Sequence, residues 1–283
     1  MQGYFLFVAG ILGACFGSFL NVVAHRSVNN RSWWGSERSV CENCGHVLGF
    51  FELIPIFSWL FLKGKCRNCG AKISVRYILI EIICAAMAVL IFHKFNFSWA
   101  CLLVSVGSCG LVINSLTDFE AGDVFDVFAI APGVLGLLIR IAGGSEAILD
   151  GIEGAAAGWG IFALIIFLSR GGMGWGDASF MGGMGAVLGL KFILASLYIG
   201  IMTGGAFALI LLLIGKFKWG RHDTMPLVPF LALGCFIMMI YGAEIFALLE
   251  HRFFYSAPDL FSPAWPYARS LLATISTSVP QTL

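Results

Sequence analysis

Long apolar segments are the feature that most restricts what this chain can fold into. Eight segments can be drawn, each good to a few residues at its ends: 3–24, 77–93, 97–117, 124–142, 148–169, 177–190, 192–215 and 227–249. About 20 apolar residues in a row cross the hydrocarbon core of a bilayer as a helix. The composition agrees, with 59% hydrophobic and 12% charged residues and a mean hydropathy of +0.91. The sequence therefore predicts an all-α polytopic membrane protein with about eight transmembrane helices, the sixth of them short.

The spacing of these segments divides the chain into four parts. Residues 1–24 form a first transmembrane helix, which is too long and too poor in basic residues for a cleaved signal peptide. A polar insert at 25–76 follows, and then a seven-helix membrane domain at 77–249. The proline-containing tail at 250–283 receives no predicted role.

The distribution of basic residues predicts the orientation in the membrane. Eight spans place both termini on one side and the polar insert on the other. The side with the insert holds 12 of the 17 Lys and Arg residues, and cytoplasmic loops carry such an excess. These residues are Arg26, Arg31, Arg38, Lys63, Lys65, Arg67, Lys72, Arg76, Arg170, Lys216, Lys218 and Arg221. The insert is therefore predicted to be cytoplasmic.

Four glycine pairs with a spacing of four residues indicate where helices approach one another closely. Packing holds helices together in lipid, and small residues let their backbones approach. The pairs are Gly13 and Gly17, Gly154 and Gly158, Gly185 and Gly189, and Gly200 and Gly204.

The insert contains four of the nine cysteines, in two Cys-x-x-Cys pairs separated by 21 residues. The pairs are Cys41 with Cys44 and Cys66 with Cys69. Two such pairs typically complete a tetrahedral four-cysteine zinc site, which leaves no open position and is therefore structural. Two disulfides or an iron–sulfur centre are the alternatives, and a reducing cytoplasm disfavours the disulfides.

Two carboxylates at the ends of apolar segments are the candidate chemical groups. Asp118 follows the third segment, and Asp177 closes the motif Gly174-Trp175-Gly176-Asp177 before the sixth. An ionisable residue at membrane depth is a functional candidate, although this glycine motif alone is equally typical of a helix N-cap. The predicted topology places both aspartates on the cytoplasmic side.

A converging aspartate pair suggests aspartyl hydrolysis, because like charges disfavour double ionisation and the pair shares one proton. A helix N-terminus stabilises negative charge and a C-terminus does not. We therefore expect Asp177 to be the ionised base and Asp118 the protonated acid. The alternative is an ion-coupled carrier, but both carboxylates lie at one face rather than at the midplane, and no inverted repeat is evident.

The order of several motifs resembles one family, the type IV prepilin peptidases. Residues 17–26 (GSFLNVVAHR) resemble its N-terminal signature. The family pattern continues through the two cysteine pairs, residues 52–60 (ELIPIFSWL), residues 64–67 (GKCR), and residues 73–77 (ISVRY) with Glu81. Asp118 with Asp126, and then residues 174–177 (GWGD), complete it. The resemblance covers about 5–250.

This resemblance implies an enzyme, a membrane aspartyl endopeptidase of the bacterial inner membrane. It would cut the basic leader from prepilins and pseudopilins at the cytoplasmic face, with Asp118 and Asp177 as catalytic residues. Many members also methylate the new N-terminal amine with S-adenosylmethionine. The implied partners are prepilins or pseudopilins and membrane lipid, with no nucleic acid; the oligomeric state is left open.

The sequence departs from the family pattern at three positions. Phe125 stands where the family usually has proline, Ser179 where it has lysine, and Glu42 where it has proline. None of these removes a proposed catalytic residue or metal ligand.

For the S-adenosylmethionine site, the candidates are Glu52, Gly64 and Lys65. They lie on the loop between the two cysteine pairs. For Lys65, a role as one more cytoplasmic positive charge is equally compatible with the sequence.

Overall fold

The computed structural model describes residues 2–33, 38–169, 174–214 and 226–253, and this part of the chain is almost entirely helical. Its α-helices are α1 (Gln2–Val28), α2 (Phe57–Phe61), α3 (Val75–Phe95), α4 (Trp99–Ala121), α5 (Asp126–Arg140), α6 (Ser145–Leu168), α7 (Trp175–Leu188), α8 (Leu190–Leu213) and α9 (Val228–Phe253). Within the tail assigned to 250–283, residues 254–283 lie outside the described residues. So do four of the cations used for orientation, which are Arg170, Lys216, Lys218 and Arg221.

Seven of these helices are long and apolar enough to cross a membrane. They are Gln2–Val28, Val75–Phe95, Trp99–Ala121, Asp126–Gly143, Ser145–Leu168, Leu190–Leu213 and Val228–Leu249. The predicted sixth segment is α7, which has 14 residues. At a rise of 1.5 Å per residue its length is about 21 Å, less than the hydrocarbon thickness of about 30 Å. The prediction of eight apolar helices with a short sixth is confirmed.

The chain divides into two compact units. Unit 1 contains residues 1–97 and 119–121, and unit 2 contains residues 98–118 and 122–283. In unit 1, α3 packs against α1.

Small residues set the packing of α1 on α3. A Cβ atom added at Gly13 would lie 2.6 Å from the Cβ of Ala88 and 3.0 Å from the Cα of Ala85, and one added at Gly17 would lie 2.9 Å from the Cβ of Cys84. Such distances leave no room for a side chain, so the glycine spacing marks a close helix contact as predicted.

A polar cluster joins several parts of unit 1 beside α1. The Nε2 and Nδ1 atoms of His25 lie 2.7 Å from carboxylate oxygens of Glu42 and Glu120, respectively. Arg76, at the start of α3, donates to Glu120 at 2.8 Å. Glu42 lies between two of the cysteines, so the cluster holds the insert, the end of α1 and the last turn of α4 together.

Glycines also set the position of α7 in unit 2. Gly158 of α6 lies against the backbone of Met181, Gly154 and Gly185 lie against each other's backbone, and Gly133 of α5 lies against Gly183. α7 is therefore enclosed by α5 and α6, and most of its residues from Ala178 to Leu188 are buried.

A buried arginine fixes the other end of α7. Arg140 is 2% exposed and donates to the carbonyl oxygens of Ala147 at 2.8 Å and Val187 at 2.9 Å and to Asp150 at 3.0 Å. The second oxygen of Asp150 accepts from the backbone N–H of Leu190 at 3.0 Å. Four helices thus meet at one paired and hydrogen-bonded charge, which is how a charge can be buried at acceptable cost.

We expect Gly183→Ala to destabilise unit 2 by about 1–3 kcal/mol, since overpacking a close contact costs that much. Its new methyl group would overlap the carbonyl oxygen of Ala129 on α5. Gly160→Ala on α6 is the matched control, because no atom lies within 4 Å of its added Cβ and alanine favours a helix. Thermal unfolding in detergent compares the two; equal midpoints for both variants would contradict the close packing.

Candidate active site

Asp118 lies in the last turn of α4, as predicted, and is 7% exposed. Its Oδ2 atom accepts a hydrogen bond of 2.9 Å from the backbone N–H of Val228. Val228 is the first residue of α9, so this N–H is one of the four that a helix N-terminus leaves without an internal partner. The carboxylate therefore caps α9.

A buried asparagine one turn before Asp118 holds this end of α4 in place. Asn114 is completely buried, and its Nδ2 atom donates to the carbonyl oxygens of Gly110 and Phe128, both at 2.8 Å. Because Phe128 belongs to α5, the bond ties the two helices on either side of the turn. The turn itself is made by Gly122 in the left-handed conformation, with φ +68°.

Asp177 lies in the first turn of α7 and is half-buried. Gly176, directly before it, packs against the turn between α4 and α5, where an added Cβ would lie 2.7 Å from the Cβ of Val124. The glycine lets the start of α7 lie against that turn. This gives the glycine motif a packing reason beyond the helix cap that the sequence also allowed.

The two carboxylates lie close enough for their charges to interact. They differ in their partners. Asp118 accepts the N–H of Val228, whereas the side chain of Asp177 has no hydrogen-bond partner among the residues described. The helix positions expected for both aspartates are confirmed, but the sequence argument omitted α9, whose N-terminus also meets Asp118.

Two other acids named from the sequence have different surroundings. Asp126 is exposed in the first turn of α5. Glu81 is buried in α3 and accepts the backbone N–H of Ile56 at 2.7 Å, so it binds the insert and stays within unit 1.

The four insert cysteines come together as predicted, with all their sulfur atoms within 4.8 Å of one another. All four are free thiols. In a tetrahedral zinc site with Zn–S bonds of about 2.3 Å, the sulfur atoms are about 3.8 Å apart; the Sγ atoms of Cys41 and Cys69 are 3.9 Å apart. The cluster is thus compatible with structural zinc.

The two cysteine pairs form matching knuckles. Gly45 and Gly70 each have a positive φ, +68° and +71°, and each donates its N–H to the carbonyl oxygen of the first cysteine of its pair, at 2.8 and 2.9 Å. Isolated antiparallel bridges, Val40 with Val47 and Lys65 with Lys72, close the knuckles. Glycine is needed where the turn requires a positive φ.

Each knuckle also donates to a sulfur atom of the other. Asn43 donates to Cys69 at 3.5 Å, and Asn68 donates to Cys44 at 3.7 Å. Side-chain donors around a metal site orient the ligands and stabilise their charged form. The N–H of Ala71, which contributes most, and the bond from Asn43 lower the pKa of the Cys69 thiol to about 6.

The three residues proposed for the cofactor occupy different positions. The side chain of Glu52 is 8% exposed and accepts from the N–H of Gly49 at 2.7 Å and from His46 at 3.2 Å. The Gly49 bond, with a smaller contribution from His46, holds the pKa of Glu52 below its usual value. Gly64 lies beneath the ring of Trp59, and Lys65 is exposed on the second knuckle.

Glu52 also lines a cavity of about 280 Å³ in the insert. Gly64 and Lys65 do not line it, so the structure separates Glu52 from the other two. The sequence reasoning missed the remaining cavity residues, among them Phe57 and Arg67, and it missed Val228. Val228 acts through its backbone, 110 residues from Asp118, so no residue pattern marks it.

Two family models match this chain, one for each unit. The bacterial peptidase A24 N-terminal domain matches residues 11–95, and the type IV leader peptidase family matches residues 105–243. A protein of Aeromonas salmonicida (strain A449) named prepilin leader peptidase/N-methyltransferase is 30% identical over 258 residues, which are 81% of this chain and 88% of that protein. The chain belongs to the type IV leader peptidase family.

Other members of the family with the same name match over similar lengths. One from Burkholderia pseudomallei (strain 1026b) is 30% identical over 277 residues, 87% of this chain and 89% of its own. One from Stutzerimonas stutzeri is 29% identical over 270 residues, which are 86% of this chain and 93% of that protein. No solved structure matches the chain significantly. Together with the seven candidate spans among the described residues, membership identifies a multi-pass membrane protein and confirms the predicted resemblance.

Proposed function

We propose that this protein is a prepilin leader peptidase and N-methyltransferase. It removes the basic leader of type IV prepilins and pseudopilins and then methylates the new N-terminal residue. The observation that carries the proposal is the match of the leader peptidase family to residues 105–243, which contain Asp118 at the end of α4 and Asp177 at the start of α7. The names of its relatives support both activities.

The hydrogen bond at Asp118 supports a division of roles opposite to the one expected from the sequence. A hydrogen bond to a charged group is worth about 1.5–3 kcal/mol, whereas a helix dipole contributes about 0.3–1 kcal/mol at an exposed end. The hydrogen bond from the N–H of Val228 therefore contributes more free energy than the unfavourable helix dipole at the end of α4. The balance favours the ionised form of Asp118. Asp177, which lacks a described donor, then carries the proton that the pair shares.

These roles give a balanced hydrolysis. Asp118 removes a proton from water while the water oxygen attacks the scissile carbonyl carbon, and Asp177 donates its proton to the carbonyl oxygen. As the tetrahedral intermediate collapses, the C–N bond breaks and its electron pair goes to the nitrogen, which takes a proton from Asp118. The remaining hydroxyl proton returns to Asp177, so both carboxyl groups regain their starting states.

For methylation, S-adenosylmethionine supplies an electrophilic methyl group that the new N-terminal amine takes up. We place this cofactor in unit 1, where Glu52, Gly64 and Lys65 are the candidates from the sequence. Glu52 fits a ligand-binding role because its side chain is only 8% exposed, is oriented by Gly49 and His46, and lines a cavity. Gly64 fits a structural role, since an added Cβ would lie 2.7 Å from the ring of Trp59.

Cys41, Cys44, Cys66 and Cys69 are the proposed zinc ligands. An insert of this size has little apolar core of its own, and binding of structural zinc supplies folding free energy. With four protein ligands the ion has no open position, so it serves the fold of the insert rather than the chemistry of cleavage.

The proposed location is the bacterial inner membrane, with the aspartate pair at the cytoplasmic face. Two features support it: the insert side holds 12 of the 17 basic residues, and within unit 2 the end of α4 meets the start of α9. Membrane lipid is the proposed surrounding.

The function is tested by co-expressing the protein with a type IV prepilin and measuring the pilin mass. We expect a loss equal to the leader and a gain of one methyl group, because the proposal assigns both steps to this chain. The strain without this protein is the control and should hold only full-length prepilin. Uncleaved prepilin in both strains would contradict the proposal, and cleavage without the added methyl group would remove its second half.

A further inference from the structure

A cavity of about 280 Å³ opens in the part of the insert between the two cysteine pairs. Its wall combines apolar and charged side chains, which include Phe51, Glu52, Phe57, Ser58, Phe61 and Arg67. Ligand pockets usually measure about 300–1,000 Å³ and have mostly apolar walls with a few polar groups. The cavity lies just below this range, so part of a ligand with one ring system and an arm would extend over its open rim.

Three aromatic rings at this cavity are left uncovered. Phe51 is 76% exposed, Phe57 58% and Phe61 82%. A contiguous exposed apolar surface is typical of a place where something else binds. Flat aromatic faces suit a flat ring, such as a nucleobase, because stacked rings gain from both burial and ring geometry.

The carboxylate of Glu52 is held ready for a partner that the described residues do not supply. Its Oε2 atom accepts from Gly49 and His46, which fixes the orientation of the group. Its Oε1 atom is buried and has no hydrogen-bond partner among the described residues. Buried polar atoms without a partner are rare, so a ligand donor such as a hydroxyl or an ammonium group fits here.

Arg67 adds the opposite charge to the same wall. A guanidinium group binds a carboxylate in a planar, two-bond geometry. Aromatic faces, a carboxylate acceptor and a guanidinium together match a nucleoside that carries an amino-acid arm. S-adenosylmethionine has this composition: a purine, a ribose with hydroxyl donors, and a free carboxylate.

We propose that this cavity is the S-adenosylmethionine site, with the purine against the aromatic rings, Glu52 as the hydrogen-bond acceptor and Arg67 as the carboxylate partner. This inference rests on the proposed N-methyltransferase function. Gly64 has an indirect role, because the absence of a side chain leaves room for the ring of Trp59. The Nε1 atom of Trp59 donates to the carbonyl oxygen of Ile73 at 3.4 Å. Lys65 has no place in the site.

The attachment of the cavity to α3 places it near the end of a membrane span. The backbone N–H of Ile56, in the cavity loop, donates to Glu81 at 2.7 Å. Glu81 is the seventh residue of α3, about 9 Å along the helix axis from its start. A methyl donor at this level suits an amine that lies directly before a membrane-spanning pilin helix.

The test measures binding of S-adenosylmethionine to the purified full-length protein by isothermal titration calorimetry. We expect Glu52→Gln and Arg67→Ala each to weaken binding by about tenfold or more, as loss of one charged hydrogen bond does. Phe51→Ala and Phe57→Ala should each weaken it by about tenfold through loss of ring stacking. Phe50→Ala and Lys72→Ala are matched controls, because Phe50 is also exposed at 77% and neither residue lines the cavity. Zinc content should remain unchanged in all six variants, which shows that the insert is intact, and leader cleavage should remain unchanged in the two control variants.

The outcomes separate the site from the function. If the wild type binds S-adenosylmethionine and the cavity variants bind it equally well, the site assignment is wrong while the methyltransferase function stands. The rings of Phe50 and Phe51 pack edge to face at 5.7 Å. Equal loss in Phe50→Ala and Phe51→Ala would show that this ring pair, and not contact with the cavity, sets the affinity, and it would also overturn the assignment. If the wild type cleaves leaders but binds no S-adenosylmethionine, the methyltransferase function itself fails.

Discussion

Asp118→Asn and Asp177→Asn are each expected to lower kcat/KM for leader cleavage by at least about 10²–10⁴-fold, the usual contribution of a positioned acid or base. Asparagine keeps the shape of aspartate but can neither take a proton from water nor donate one to the carbonyl oxygen. The measurement is the rate of leader release from a purified prepilin, followed by mass spectrometry.

The fold should survive both changes. In Asp118→Asn the side-chain amide oxygen can still accept the N–H of Val228, and the side chain of Asp177 makes no described hydrogen bond that would be lost. The thermal midpoint and the zinc content should therefore stay at wild-type values. Methyl transfer to an already cleaved pilin should also survive, because its proposed residues lie in unit 1.

Asp123→Asn is the matched control for the aspartate pair. Asp123 is an exposed carboxylate in the turn between α4 and α5. Its charge acts on Asp118 only through space, and solvent and salt weaken such an interaction. We expect its cleavage rate to stay within about threefold of wild type. Substantial cleavage by either Asp118→Asn or Asp177→Asn would remove the pair from the mechanism and leave the glycine motif with only its packing role.

The second large effect is expected at the metal site. Cys66→Ser should reduce zinc from about one ion per chain to near zero, since a structural site needs four ligands and the ion supplies much of the folding free energy of such small domains. Cys66 is the most buried of the four cysteines, at 6% exposure. Without the ion, the two knuckles lose the group that joins them, and the insert becomes sensitive to proteases.

Elemental analysis of the purified variant, together with limited proteolysis, measures this effect. Cys15→Ser is the matched control, because Cys15 is an exposed thiol on α1 outside the cluster, and it should keep both zinc and protease resistance. The proposal fails if a metal-free protein retains an insert as resistant as that of the wild type.

The predictions that succeeded depend on local sequence. Long apolar runs predict membrane helices because their length must match the bilayer. The prediction that α7 is short came from the short apolar run at 177–190. The glycine pairs predicted close helix contacts, as Gly13 and Gly17 now form with α3. The spacing of the cysteines predicted a four-sulfur cluster, since two close pairs are enough to surround one ion.

The predicted ends of the aspartate-bearing helices were also right, but the argument about charge was incomplete. It considered only α4 and α7, because their boundaries can be read from neighbouring residues. The donor to Asp118 comes from the start of α9, 110 residues later. Only the packing of α9 beside α4 brings that N–H to the carboxylate, and this contact favours the opposite assignment of base and acid.

For the cofactor candidates, too, the sequence identified the loop but not the contacts that each residue makes. The sequence placed Glu52, Gly64 and Lys65 together because they share one loop. In the folded insert, Glu52 faces a cavity with Phe57 and Arg67, while Gly64 lies under Trp59. Position along the loop does not determine which side chains share a wall, because knuckle turns and the bond from Ile56 to Glu81 set the direction of each residue.

The sequence by itself determined the class of the protein, its eight long or short apolar helices, the cysteines of the cluster and the two candidate aspartates. These properties follow from hydrophobic length and short-range spacing, which a linear chain carries directly. The tertiary structure alone decided which groups meet Asp118, how His25 joins Glu42 to Glu120, and which residues line the cavity. Those contacts join distant residues, and close packing of helices fixes them.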